Sequence, residues 1–140
     1  MRKIEKIIVH CTATPEGRKV TTDDLYLWHV IDRKWKDIGY HFFIDLEGIL
    51  HECRPIEQTG AHTRGHNFDS IGIAYAGGLD KNGKPKDTRT DEQKIALEEL
   101  LIYLKILYAR AKVYGHRDFS NKSCPSFDAR TEYEWISDKF

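Results

Sequence analysis

Ile7-Ile8-Val9-His10-Cys11-Thr12 begins with three consecutive β-branched residues and ends in side chains that bind metals. An unbroken apolar run of this kind suits a largely buried strand, here Ile4 to Thr12, with polar groups at its exit. Side chains alternate along a strand, so His10 and Cys11 point to opposite faces. That makes His10 a candidate ligand at a strand end and Cys11 a buried free thiol.

Working outward, Thr21 or Thr22 caps a helix whose first turn carries Asp23 and Asp24. Leu25, Trp28, Ile31 and Trp35 recur at spacings of three or four, which predicts an amphipathic helix over Thr22 to Asp37, closed by Gly39, with both tryptophans in the core. Tyr40 to Leu46 and Ile49 to Glu52 flank Glu47-Gly48 and read as a β-hairpin. The polar loop Thr59 to Ser70 leads into a strand, Ile71 to Ala76, ended by Gly77-Gly78. Leu79 to Arg89 reads as a charged surface loop. Thr90 and Gln93 have capping-box spacing and open a helix through Ala111, whose body from Leu100 to Tyr108 is apolar on nearly every side and is expected to be buried. Val113-Tyr114 is a short last strand before an irregular segment. The order β-α-β-β-β-α-β predicts an α/β fold, a central mixed β-sheet flanked by helices, as one domain over residues 1–140.

Composition narrows the function. Lys plus Arg and Asp plus Glu both count 22, so no basic excess exists to neutralise phosphates, and nucleic acid is not indicated. No apolar run approaches the roughly 20 residues that span a bilayer, and no signal peptide opens the chain, which predicts cytoplasmic synthesis and no membrane association. Three cysteines at irregular spacing are the wrong arithmetic for a disulfide framework; thiols or metal ligands fit better. Neutral imidazole and thiolate are zinc's preferred ligands, and a catalytic site uses three while leaving a position for water. His10, His116 and Cys124 lie at element ends or in loops where they could converge, although the seven residues between the last two match no short structural zinc pattern. For each histidine the alternative is a hydrogen-bonded structural residue.

Five segments in order carry a resemblance: His10-Cys11-Thr12-Ala13-Thr14, Gly39-Tyr40-His41-Phe42, Gly60-Ala61-His62, Asn67 with Ser70-Ile71-Gly72-Ile73, and Gly115-His116-Arg117-Asp118 with Lys122-Ser123-Cys124-Pro125. Together they resemble the zinc-dependent N-acetylmuramoyl-L-alanine amidases, which include phage endolysins and peptidoglycan recognition proteins. The resemblance implies one Zn²⁺ per chain on His10, His116 and Cys124, with Tyr40 and Lys122 beside it. It further implies cleavage of the amide between the lactyl group of N-acetylmuramic acid and L-alanine, with His62 and Asn67 in the loop lining the substrate groove. On this reading Lys122 serves the oxyanion and Tyr40 hydrogen-bonds the attacking water or moves its proton, no glutamate standing out as a base. The expected partner is peptidoglycan or a muropeptide, met by a monomer that reaches the cell wall after release or export. A muropeptide-recognition module without catalysis is the alternative, and the presence of Cys124 with Lys122 and Tyr40 favours the enzyme. His41 is expected in the core or behind the ligands, while His29, His51 and His66 are left to structure or surface.

Overall fold

In chain order the elements are β1 (Lys6–Cys11), β2 (Thr14–Pro15), α1 (Thr22–Tyr26), β3 (Phe42–Ile44), β4 (Leu50–Glu52), β5 (Ser70–Tyr75), β6 (Gly78–Leu79), α2 (Asp91–Leu107), β7 (Lys112–Gly115), α3 (Ala129–Glu132) and α4 (Glu134–Ser137). They come from a computed structural model that describes residues 2–139. Five strands form one sheet in the order β4-β3-β5-β1-β7. β1 is parallel to β5 and β7, β3 is parallel to β5, and β4 closes the hairpin antiparallel to β3. The mixed sheet flanked by helices is the predicted one, with β1 inside it.

Alternation divides the apolar residues between the two faces. Ile7, Val9 and Cys11 join Ile71, Ile73 and Tyr75 under Leu97, Leu101 and Leu104 of α2, and Phe127, Tyr133 and Ile136 extend this core. Each such fully buried side chain contributes roughly 1.5–3 kcal/mol of transfer free energy. Phe43 and Ala74 face the other way and meet Val20, Leu25 and Ile38. His10 pairs with Ala74 and shares its face with Ser70 and Gly72, a column of small residues that leaves space above the sheet.

Thr21 is the cap of α1, accepting from Asp24 N–H while Asp24 accepts from Thr21 N–H. The helix then widens into a π-helix over Leu27–Asp32 and stops there, short of Asp37. Lys34 adopts a left-handed conformation (φ 60°) and Trp35 N–H turns back to His29 O at 3.0 Å, which ends the helix early. The buried side is Leu25 and His29, whereas Ile31 is 55% exposed. α2 opens on the expected Thr90–Gln93 capping box and ends at Leu107, not Ala111. Lys105 Nζ donates to the carbonyls of Ala109 and Ala111 and holds the turn that follows. Only one side of its apolar body is covered, since Tyr103, Ile106 and Leu107 are exposed.

The stretch read as surface loop ends in a buried residue. Arg89 pairs with Asp87 and Glu132, donates to Tyr133 Oη at 2.7 Å and stacks 3.4 Å from the Phe127 ring, which fastens the C-terminal helices α3 and α4 to the start of α2. Those helices and the two-residue strands β2 and β6 are too short to leave a periodic signal in the sequence.

Candidate metal centre

β1 and β7 are neighbours in register, with Val9 opposite Gly115, so His10 and His116 leave the sheet side by side. Their ring centroids are 4.6 Å apart. Cys124 arrives on a loop pinned from several directions. Arg117 N–H donates to Cys124 O at 2.7 Å, Tyr75 Oη to Pro125 O at 2.6 Å, and Ser126 Oγ to Gly78 O at 2.8 Å. Its sulfur accepts from Cys11 N–H at 3.1 Å and lies 3.9 Å from His10 Nδ1. One ligand atom from each of His10, His116 and Cys124 falls within 4.8 Å of the others. Zinc bond lengths of 2.0–2.3 Å put tetrahedral ligand atoms about 3.5 Å apart, so a small contraction suffices to hold an ion.

The donor set fits zinc chemically. Burial, reinforced by the nearby His62, His116 and Lys122, holds His10 well below the usual histidine range, and burial together with Lys122 lowers His116. Both imidazoles are therefore neutral, the state that ligates metal. The Cys124 thiol is pushed up by its hydrogen bond with Cys11 and by burial. A bound cation acts in the opposite direction and removes that proton. Cys11 packs with the α2 core, as alternation demands, and its thiol also meets that of Cys124, which packs against the same core.

Above the ligands is a cleft of about 300 Å³, walled by Trp28, His29, Arg33, Trp35, Tyr40 and Lys122. It adjoins a second groove of about 480 Å³ that shares His62, His116 and Lys122 and adds Arg64, Asn67 and Phe119. No aspartate or glutamate is among the lining residues of either. Trp28 and Trp35, expected in the core, are half-buried wall residues. Tyr40 lies with its ring 5.3 Å from that of His10, and burial of its hydroxyl raises its pKa, so it remains a neutral phenol and hydrogen-bond donor. Lys122 is exposed at the mouth.

His62 and Asn67 both reach the groove wall, but their polar atoms are engaged inward. Asn67 Oδ1 accepts from the N–H groups of His62 and Thr63, each at 2.9 Å. The His62 ring has Nδ1 2.8 Å from His10 Nε2 and Nε2 3.2 Å from Ser70 Oγ. Gly72 makes this possible, because a Cβ there would come within 2.5 Å of the His62 ring. Thr63 and Arg33 were not singled out from the sequence, and Ser70 entered only as part of a motif without a role. His29, left to structure, accepts from Gly39 N–H at 2.9 Å and abuts Tyr40 edge-on at 5.3 Å. His41 is wholly buried, its Nδ1 accepting from Gly72 N–H, as expected of a core residue. His51 pairs with Asp45 and His66 packs on Phe119, both away from the ligands. Asp118 accepts from Gly115 N–H and Arg117 approaches Asp128.

His10, His116 and Cys124 converge at the edge of a mixed sheet and could hold a metal ion beside an open cleft, an arrangement that suits a catalytic site better than a closed structural one. The model of the family described as N-acetylmuramoyl-L-alanine amidase matches residues 1–127, and the chain belongs to that family. It is 36% identical over 133 residues to the endolysin of Klebsiella phage KP32, covering 95% of this chain and 87% of that one. The endolysin of Escherichia phage T7 is 35% identical over 130 residues, with 93% and 85% covered. Among solved structures, the N-acetylmuramoyl-L-alanine amidase LysC from Clostridium intestinale superposes with a TM-score of 0.80 at 28% identity, covering 99% of this chain and 85% of that one. A complex of the peptidoglycan recognition proteins LCa and LCx bound to tracheal cytotoxin matches with a TM-score of 0.77 at 26% identity, covering 96% and 82%. The chain is a cell-wall lytic amidase of the endolysin type.

Proposed function

We propose that this chain, as a single-domain monomer, hydrolyses the amide between the lactyl group of N-acetylmuramic acid and the L-alanine of the stem peptide, using one zinc ion held by His10, His116 and Cys124. The observation that carries the reading is the approach of three neutral metal donors to within 4.8 Å beneath an open cleft. Zinc bound there supplies Lewis acidity, polarising a carbonyl and lowering the pKa of water toward about 7.

The protein's own groups do the rest. The Lys122 ammonium, two residues before Cys124, neutralises the oxygen that gains charge as the carbonyl carbon becomes tetrahedral. The Tyr40 phenol, kept protonated by burial, donates a hydrogen bond to the same reacting centre and orients it. Among the described residues no aspartate or glutamate lines the cleft, which leaves the Cys124 thiolate as its anionic donor to the metal. Arg33 and Arg64 flank the centre and suit the carboxylates of a stem peptide, and Asn67 holds the groove wall on the Arg64 side. The tracheal cytotoxin held by the recognition proteins of this fold supports peptidoglycan fragments as the ligand class. The enzyme meets the cell wall after release or export.

Mass spectrometry of a muramoyl-peptide incubated with the protein tests the reading. Free stem peptide and intact amino sugar, formed with zinc and abolished by a chelator, are expected. Intact substrate retained by the protein would replace the enzyme with a recognition module.

A further inference from the structure

His10 has two ring nitrogens with separate surroundings. Nδ1 lies 3.9 Å from Cys124 Sγ, on the side where the ligand atoms gather. Nε2 faces away from them, 2.8 Å from His62 Nδ1 and 3.2 Å from Thr63 Oγ1. A neutral imidazole carries one proton, so a His10 that offers its Nδ1 lone pair to a metal must carry the proton on Nε2. That N–H then needs an acceptor, since the position is buried and His10 is 1% exposed.

We propose that His62 is a positioning residue for the metal centre: its Nδ1 accepts the His10 Nε2 proton, fixing the tautomer that presents Nδ1 to the ion. The inference rests on the zinc reading above and extends it to a residue that the resemblance puts against substrate. The relay is continuous. With Nδ1 an acceptor, the His62 proton lies on Nε2 and is donated to Ser70 Oγ at 3.2 Å. The ring is clamped: Gly72 leaves its seat open, Asn67 Oδ1 holds the backbone N–H of residues 62 and 63, and Thr63 Oγ1 flanks Nδ1 at 3.0 Å. A ring so engaged has no nitrogen left for substrate. Partners of this kind raise ligand basicity and typically govern metal affinity by 10–100-fold.

Two variants of the full chain test it. His62→Phe keeps a ring in the seat and deletes the acceptor; His62→Asn keeps a carbonyl oxygen close to the Nδ1 position. Zinc affinity is read by chelator competition, KM and kcat on a muramoyl-peptide, and the His10 tautomer in metal-free protein by long-range ¹⁵N–¹H correlation. The expected result is Nε2-protonated His10 in the parent, a 10–100-fold loss of zinc affinity with altered His10 ring shifts in His62→Phe, substantial recovery in His62→Asn, and KM little changed in both. Unchanged zinc affinity with raised KM overturns the proposal and returns His62 to the substrate wall. Should His62→Phe fail to fold, His62→Asn together with the parent's tautomer decides, an Nδ1-protonated His10 counting against the proposal. A parent chain that binds no zinc at all is a separate result, which removes the metal reading itself.

Discussion

Tyr75 donates its hydroxyl to the carbonyl of Pro125 across 2.6 Å, tying the middle of the sheet to the residue after Cys124. Tyr75 is 1% exposed, so water cannot replace the bond. Tyr75→Phe keeps the ring beside Phe127 but strands the carbonyl, a change expected to cost about 1–3 kcal/mol. Urea denaturation should show a lower midpoint at unchanged slope, and zinc should be released faster to a chelator. An unaltered midpoint would mean the Arg117 and Ser126 hydrogen bonds hold the loop unaided.

The two neighbouring cysteines should behave differently. Cys124→Ala is expected to lose stoichiometric zinc and activity while staying folded, because its loop lies outside the sheet. Cys11→Ala should retain one zinc per chain, its side chain packing with the α2 core and lying outside the His10, His116 and Cys124 group. Metal content by atomic emission separates them, and zinc lost equally from both would place Cys11 among the ligands.

Much of this was legible in the residues. The β-branched run Ile7-Ile8-Val9 marks β1, and the Thr90–Gln93 box marks the start of α2, because burial on both faces and capping leave local signatures. The early end of the first helix was not legible: a left-handed Lys34 and a π-helix depend on His29 and Trp35 settling around Gly39 and Tyr40, contacts that apolar periodicity does not encode. Helices of four residues such as α3 and α4 carry too few turns for periodicity, and Arg89 looked like a surface charge because Glu132 and Tyr133, which it meets besides Asp87, lie some forty residues away. In the site, His10, His116 and Cys124 were visible as donor types. The engagement of His62 with His10 depends on register between β1 and β5 and on the empty side of Gly72.

Lys122→Ala should keep zinc and lower kcat by about a hundredfold, the usual cost of removing one donor from a developing oxyanion. Tyr40→Phe should likewise retain the metal and lose turnover. Single-turnover kinetics on a soluble muramoyl-peptide is the check, and a Lys122→Ala rate constant equal to the parent's would give the oxyanion to another group.

Acid should begin to destabilise the fold well above the pH at which ordinary carboxylates protonate. Burial lowers both His29 and His41 to about 4, against an unfolded value near 6.5. Between those values the unfolded chain binds protons that the folded chain refuses, so stability is complete above about 6.5 and falls as pH drops toward 4, by up to about 3 kcal/mol for each ring. Urea midpoints measured from pH 7 to pH 4.5 should decline, and His41→Asn should flatten the slope. A pH-independent midpoint would mean the rings are charged in the folded state.

The cleft walls carry Arg33, Arg64 and Lys122 and no acidic side chain, in a molecule whose formal charges cancel. Balance overall with imbalance at one mouth gives the particle an electrical front. Field lines from such a mouth draw anionic polymer toward it, while the remaining surface, which carries the compensating net negative charge, repels the same polymer. Capture of substrate, seen in kcat/KM, should therefore weaken as salt shortens the reach of the field, with kcat at saturation unmoved. The asymmetry lets an enzyme without a net charge find a charged wall and still leave it.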